Sequence, residues 1–162
     1  MELIDPELEA AVTSSTQTQQ DGALDNYVRY FGALERSDWE GALACFNPEV
    51  EYHHHPFSQV HEGHEGDTDW HTINGVDNLR SFFTQTRGDD PIPHIVSAFA
   101  RTGDVCLAEG YVPGDKGREN AITTWVSLWT VDDQDRIVRY HHYIQWPTIT
   151  VIGVDDIVCK GR

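Results

Sequence analysis

The chain has 162 residues, the length of one ordinary domain, with 27 acidic residues against 11 basic and a net charge of −16. Protonating all nine histidines would still leave −7, which excludes sequence-independent binding to nucleic acid or an anionic membrane surface, since both need positive charge. Five Trp, six Tyr and six Phe exclude a disordered polar chain, and no apolar run is long enough to span a membrane as a helix.

Residues 1–20 contain a Thr/Ser/Gln tract, Thr13 to Gln20, without periodicity, and predict a loose arm or frayed helix ahead of a single domain over 21–162. From Asp21 the pattern turns helical: Leu24, Tyr27, Val28, Phe31 and Leu34 recur on one face. Ser37-Asp38-Trp39-Glu40 has the form of a capping box opening a second short helix, Trp39 to Phe46, which Asn47-Pro48 stops. Val50 to His55 is strand-like and ends at Pro56. Ser58 to Thr72 is polar, long and dotted with glycine, the pattern of a functional loop or lid. Gly75 to Thr86 predicts a third helix with Val76, Leu79, Phe82 and Phe83 inward. Four strands follow, His94 to Thr102, Val105 to Tyr111, Ala121 to Val131 and Arg136 to Trp146. They are punctuated by Gly103-Asp104, Pro113-Gly114-Asp115-Lys116-Gly117 and Asp132-Asp133-Gln134-Asp135. The β-branched stretch from Thr148 to Val154 suggests an added edge strand or a packed tail. Helices first and an antiparallel meander afterwards is the order of an α+β domain.

Several segments carry a family resemblance. They are Arg29-Tyr30-Phe31-Gly32-Ala33-Leu34, Ser37-Asp38-Trp39-Glu40-Gly41-Ala42-Leu43, and Cys45-Phe46-Asn47-Pro48-Glu49-Val50-Glu51-Tyr52. Gly75-Val76-Asp77-Asn78-Leu79 with Phe82-Phe83, and Gln134-Asp135-Arg136-Ile137-Val138, extend it. Over about residues 21–146 the chain resembles SnoaL-like proteins of the nuclear-transport-factor-2-like superfamily, which includes ketosteroid isomerase, scytalone dehydratase and limonene epoxide hydrolase. The resemblance implies a cone-shaped roll, with three N-terminal helices packed on a strongly curved, mainly antiparallel sheet. It also implies a homodimer through the convex side, where Arg139, His141 and Tyr143 would lie. Because this scaffold serves enzymes and non-enzymes alike, the resemblance places a pocket without naming a reaction. Ketosteroid isomerase uses a tyrosine on the first helix, an aspartate base ending the first strand and a protonated carboxylic acid on a later strand. Tyr30 matches the tyrosine, the base position falls on His54 or His55, and the third falls on Ser127. One match in three argues against steroid isomerisation and leaves the location of the pocket.

Tyr52-His53-His54-His55-Pro56 is the most informative segment. Strand alternation sends Tyr52 and His54 to one face and His53 and His55 to the other. In the register implied by the resemblance Tyr52 and His54 face the interior, where a neutral imidazole suits acid–base work. The alternative is a hydrogen-bonded His54 lining an inert cavity. His53 and His55 form an H-x-H pair, a metal-ligand spacing that His61, His64 and His71 with nearby carboxylates could complete, although the resemblance implies no metal. Trp125, Ser127 and Trp129 share one side of their strand, and Tyr140, His142, Ile144 and Trp146 one side of the last. These are pocket walls or simply core. Tyr30 could donate to a developing oxyanion or bond a backbone carbonyl.

Three functional expectations result. The first is a metal-free, cofactor-free enzyme moving a proton on a small apolar organic ligand, by isomerisation, dehydration, cyclisation or epoxide hydrolysis. His54 would be the base, Tyr30 or Tyr52 the donor, and Trp125, Ser127, Trp129, Tyr140 and His142 the pocket. The second is a non-catalytic binding or dimerisation module, whose mark would be an interior filled by its own side chains. The third is a metalloprotein using His53 and His55.

The odd, scattered cysteines (Cys45, Cys106, Cys159) and the acidic start, Met1-Glu2-Leu3-Ile4-Asp5, suit a cytoplasmic protein. Nine Arg with only two Lys, and sixteen Asp against eleven Glu, fit a high-salt cytoplasm or an ordinary acidic protein. Six of the nine histidines lie between His53 and His71 and two at His141-His142, leaving His94 alone.

Overall fold

A computed structural model describes residues 21–55, 69–86, 93–113 and 123–145. The predicted N-terminal arm, most of the Ser58–Thr72 loop, the Gly114–Gly117 turn, Trp146 and the 148–158 stretch lie outside the described residues. The element order is α1 (Gly22–Glu35), α2 (Trp39–Leu43), β1 (Phe46–His54), β2 (His71–Asn74), α3 (Val76–Thr86), β3 (Ile95–Thr102), β4 (Val105–Val112), β5 (Thr123–Val131) and β6 (Ile137–Gln145). No helix among the described residues is long and apolar enough to cross a membrane.

Asp21 caps α1, its carboxylate accepting from the amides of Ala23 at 2.9 Å and Leu24 at 3.3 Å, an arrangement that stabilises a helix by about 1 kcal/mol. The same carboxylate meets Arg101 of β3 at 3.1 Å, and Arg101 reaches Asp135 at 2.9 Å, tying the helix start to two hairpins. Asp38, rather than Ser37, caps α2, accepting from the Gly41 amide at 2.9 Å. That helix ends at Leu43, three residues before its predicted end, because the Cys45 carbonyl is drawn to the sheet. It accepts from the Ile137 amide at 3.0 Å and from the Asn26 side chain at 2.8 Å. Phe46 then already pairs with Ile137, and the register shifts between Phe46 and Glu51, around Pro48, which has no amide to give.

The strands form one sheet in the order β2-β1-β6-β5-β4-β3. This corrects the expected architecture in two respects. Only α1 and α2 are N-terminal; α3 connects β2 to β3. The sheet is also open rather than a strongly curved cone: β2 and β3 lie at opposite edges and do not pair. Four of the five strand pairings among the described residues are antiparallel, and β1, inserted between β2 and β6, runs parallel to β6. The first two residues of the four-residue β2, His71 and Thr72, fall at the end of the expected loop. The strand has one apolar residue, Ile73, and its strand state comes from pairing, with Tyr52 opposite Ile73 and His53 opposite Thr72.

β3 to β6 follow the predicted meander within two residues at each end, and their alternation separates an inner from an outer face. Along β5, Thr123, Trp125, Ser127, Trp129 and Val131 are buried while Val126 and Leu128 are exposed. The helices cover the inner face: Tyr27 of α1 stacks on Trp129 with ring centroids 4.2 Å apart, and Tyr30 meets Tyr140 edge-on at 5.8 Å. At Gly110 the Trp125 ring and the Ile95 carbonyl approach so closely that any Cβ would overlap both.

Candidate functional site

The inner face gathers most of the predicted residues. Trp125, Ser127 and Trp129 of β5 and Tyr140 and His142 of β6 are all buried there, Ser127 lying opposite His142 in register. Ser127 Oγ is 2.8 Å from His142 Nδ1 and 3.2 Å from the Tyr140 hydroxyl, and Tyr140 is itself 3.2 Å from His142 Nδ1. Tyr27 donates its hydroxyl proton to Ser127 at 2.6 Å. Burial pushes the Tyr27 and Tyr140 phenols well above their ordinary pKa, so both remain neutral donors. The indole nitrogens of Trp125 and Trp129 are buried without a hydrogen-bond partner among the described residues.

Tyr30 and Tyr52 are brought together, their hydroxyls 3.4 Å apart, with Tyr52 stacked on Tyr140 at 5.0 Å. His54 is buried at the end of β1. Its Nδ1 lies 2.6 Å from the His55 carbonyl, its ring stacks on His55 at 4.1 Å, and Phe82 packs against it at 4.9 Å. His55 lies 6.0 Å from His142, and His94 stacks on Phe31 at 4.4 Å with His142 6.5 Å away. Four histidines, His54, His55, His94 and His142, thus share one end of the aromatic interior, each under 9% exposed. A groove of about 420 Å³ between β2 and α3 includes Thr72, Ile73, Asn78 and Phe82 in its lining, so Phe82 separates it from His54.

Tyr27 and His94 went unassigned in the sequence. Tyr27 was signalled only by its place one helical turn before Tyr30, on the same face. His94 precedes a strand, and its neighbours come from elements far away in the chain.

His53 and His55 are not brought together. β1 ends at His54, and His55 turns inward beside His142, while His53 faces outward. There His53 stacks on His141 of β6 at 3.9 Å, bonds Glu51 at 2.6 Å through Nε2 and Thr72 at 3.1 Å through Nδ1. Arg139 also meets Glu51, at 3.1 Å. Hydrogen bonds from His53 and Arg139 hold the Glu51 carboxyl below its ordinary value; burial, then His53 and Arg139, lower the His141 imidazole.

A SnoaL-like domain family matches residues 27–140, most of the chain, from within α1 to within β6. The chain belongs to the SnoaL-like family. Solved structures agree on the fold of this SnoaL-like chain. An NTF2-like protein of unknown function from Burkholderia pseudomallei is 20% identical with a TM-score of 0.56, the match covering 78% of this chain and 92% of that one. Another of unknown function, from Burkholderia xenovorans, is 11% identical with a TM-score of 0.59, covering 87% and 95%. Identities this low carry the fold alone. No curated protein matches the SnoaL-like chain.

Proposed function

We propose that this SnoaL-like chain binds a small, largely apolar organic molecule and moves a proton on it with histidines, without metal or cofactor. The observation that carries the proposal is the buried Ser127–His142–Tyr140 triangle set among aromatic walls, since it fixes the orientation of an imidazole, the side chain suited to both giving and taking a proton. The hydrogen bonds give the two imidazoles complementary roles. A carbonyl only accepts, so His54 carries its proton on Nδ1, facing the His55 carbonyl, and Nε2 is the basic nitrogen. Tyr27 donates to Ser127, so the Ser127 proton can point at His142 Nδ1, which places the His142 ring proton on Nε2. His54 Nε2 would take a proton from a carbon beside a carbonyl, and His142 Nε2–H would protonate the oxygen, giving an enol. Tyr30 or Tyr52 would steady the developing oxyanion.

This chemistry can be tested without the natural substrate. Deuterium exchange at the α-carbon of 2-tetralone, followed by NMR in D2O, reads base-catalysed enolisation directly. His54→Ala is expected to lower the protein-catalysed rate by about 100-fold or more, with the melting temperature within about 5 °C of the parent. Unchanged exchange in that variant overturns the assignment.

A second reading has its own support. Tyr27, Tyr30, Trp125, Trp129 and Tyr140 are each no more than 1% exposed, so the inner face is filled by its own side chains, as a non-catalytic module would have it. Failure of 2-tetralone to quench tryptophan fluorescence in both the parent and Phe82→Ala, which removes the ring that lines the groove and packs against His54, favours that reading.

A further inference from the structure

The outer face of β1 and β6 carries a second group of side chains that the interior chemistry does not use. The strands run parallel, with His53 directly opposite His141 and Glu51 opposite Arg139. Glu51 and His53 are two residues apart on one strand and therefore project on the same side. Their ligand atoms and that of His141 all lie within 4.8 Å of one another, and all three residues are half-buried. We propose that Glu51, His53 and His141 form a binding site for a divalent first-row transition ion of the zinc type, with a fourth position open to solvent. Two imidazoles and one carboxylate are a set such ions take, at about 2.0–2.2 Å from each donor. Donors that far apart need only small rotamer changes to converge on one ion.

The surroundings support the ligands. Thr72 Oγ1 sits 3.1 Å from His53 Nδ1, so when Nε2 binds the ion, Nδ1 carries the proton and donates it to Thr72. The ion takes the place of the proton now shared between His53 Nε2 and Glu51 Oε1, which are 2.6 Å apart. Glu51 Oε2 keeps Arg139 Nη2 at 3.3 Å, orienting the carboxylate. Arg139 also places a fixed positive charge beside the ion, which weakens binding. The site stands on the opposite side of the sheet from His54 and His142 and is independent of the proton-transfer proposal.

The test uses the full chain purified without a histidine tag, stripped with chelator and titrated with Co2+, followed by Zn2+ competition. One equivalent of Co2+ should give the visible absorption of a low-coordinate nitrogen–oxygen site, and Zn2+ should abolish it. His141→Ala and Glu51→Gln should each weaken binding by at least about 10–100-fold, and Thr72→Val by about 10-fold. Arg139→Gln should tighten it, and His55→Ala should leave it unchanged, which separates this site from an H-x-H pair. No visible band, or undiminished Co2+ binding in His141→Ala and Glu51→Gln, overturns the site.

Discussion

Tyr27 and Ser127 share a hydrogen bond of 2.6 Å, and each can lose its single hydroxyl oxygen, in Tyr27→Phe and Ser127→Ala. The two losses are not equivalent. Tyr27→Phe leaves Ser127 satisfied by His142 at 2.8 Å and Tyr140 at 3.2 Å, so no buried polar group is left without a partner in this network and the cost is about 0.5–1.5 kcal/mol. Ser127→Ala takes a partner from Tyr27, Tyr140 and His142 at once, leaving the buried Tyr27 hydroxyl only Tyr140 in this network, and costs about 1–3 kcal/mol. At this chain length 1 kcal/mol shifts the melting temperature by about 2–4 °C, so Ser127→Ala should melt roughly 2–12 °C below the parent. In the double variant the shared Tyr27–Ser127 bond is lost once rather than twice, and the total should fall below the sum of the singles by about 1 kcal/mol. Urea melts followed by tryptophan fluorescence measure all four corners of this cycle. Strict additivity, or a larger cost for Tyr27→Phe than for Ser127→Ala, would refute the network as the organiser of the interior.

Three further outcomes follow from the same structure. Tyr27 and Tyr140 have raised phenol pKa values, so the unfolded chain loses their protons first as pH rises. Stability from this pair is therefore whole below about pH 10 and falls above it by up to about 2.7 kcal/mol per pH unit; urea midpoints that stay level through that range would contradict the burial. Gly110→Ala drives a methyl into the Trp125 ring and the Ile95 carbonyl, and should cost about 1–3 kcal/mol with a shifted tryptophan emission; a silent substitution would count against the packing. At Asp132, burial alone would raise the pKa, but Asn47, the Arg136 and Gln134 amides and the Arg136 guanidinium outweigh it and lower the value to about 2. Its contribution is present above 3.8 and is lost as pH falls toward about 2, so Asp132→Asn should flatten the acid limb of a pH–stability curve.

The parts of the fold legible in the sequence are those set by local chemistry. Gly103, at φ 62°, and Asp135, at φ 56°, turn the β3–β4 and β5–β6 hairpins where turn residues predicted them, and period-two burial along β5 follows its alternating pattern. The parts that were not legible depend on partners distant in the chain. No turn signal announces that Tyr52 will lie beside Tyr140, because a parallel pair closes through the rest of the domain. That one pairing makes the sheet mixed, and its neighbour β2 becomes a strand only because β1 offers it an edge.

The same pairing explains why the histidine run was informative and misleading together. His53, His54 and His55 form one block in sequence, as do His141 and His142, yet a strand alternates its side chains, so two adjacent parallel strands divide both blocks between faces. His54 and His142 go inward, among aromatic rings and hydroxyls, with His54 Nδ1 on the His55 carbonyl and His142 Nδ1 on Ser127. His53 and His141 go outward, beside Glu51 and Arg139, where a carboxylate is within reach. Proton transfer needs the first environment and ion binding needs the second. The chemistry available to the histidines of β1 and β6 is therefore a consequence of strand parity and of which strand lies next to β1, and spacing along the chain alone cannot assign it.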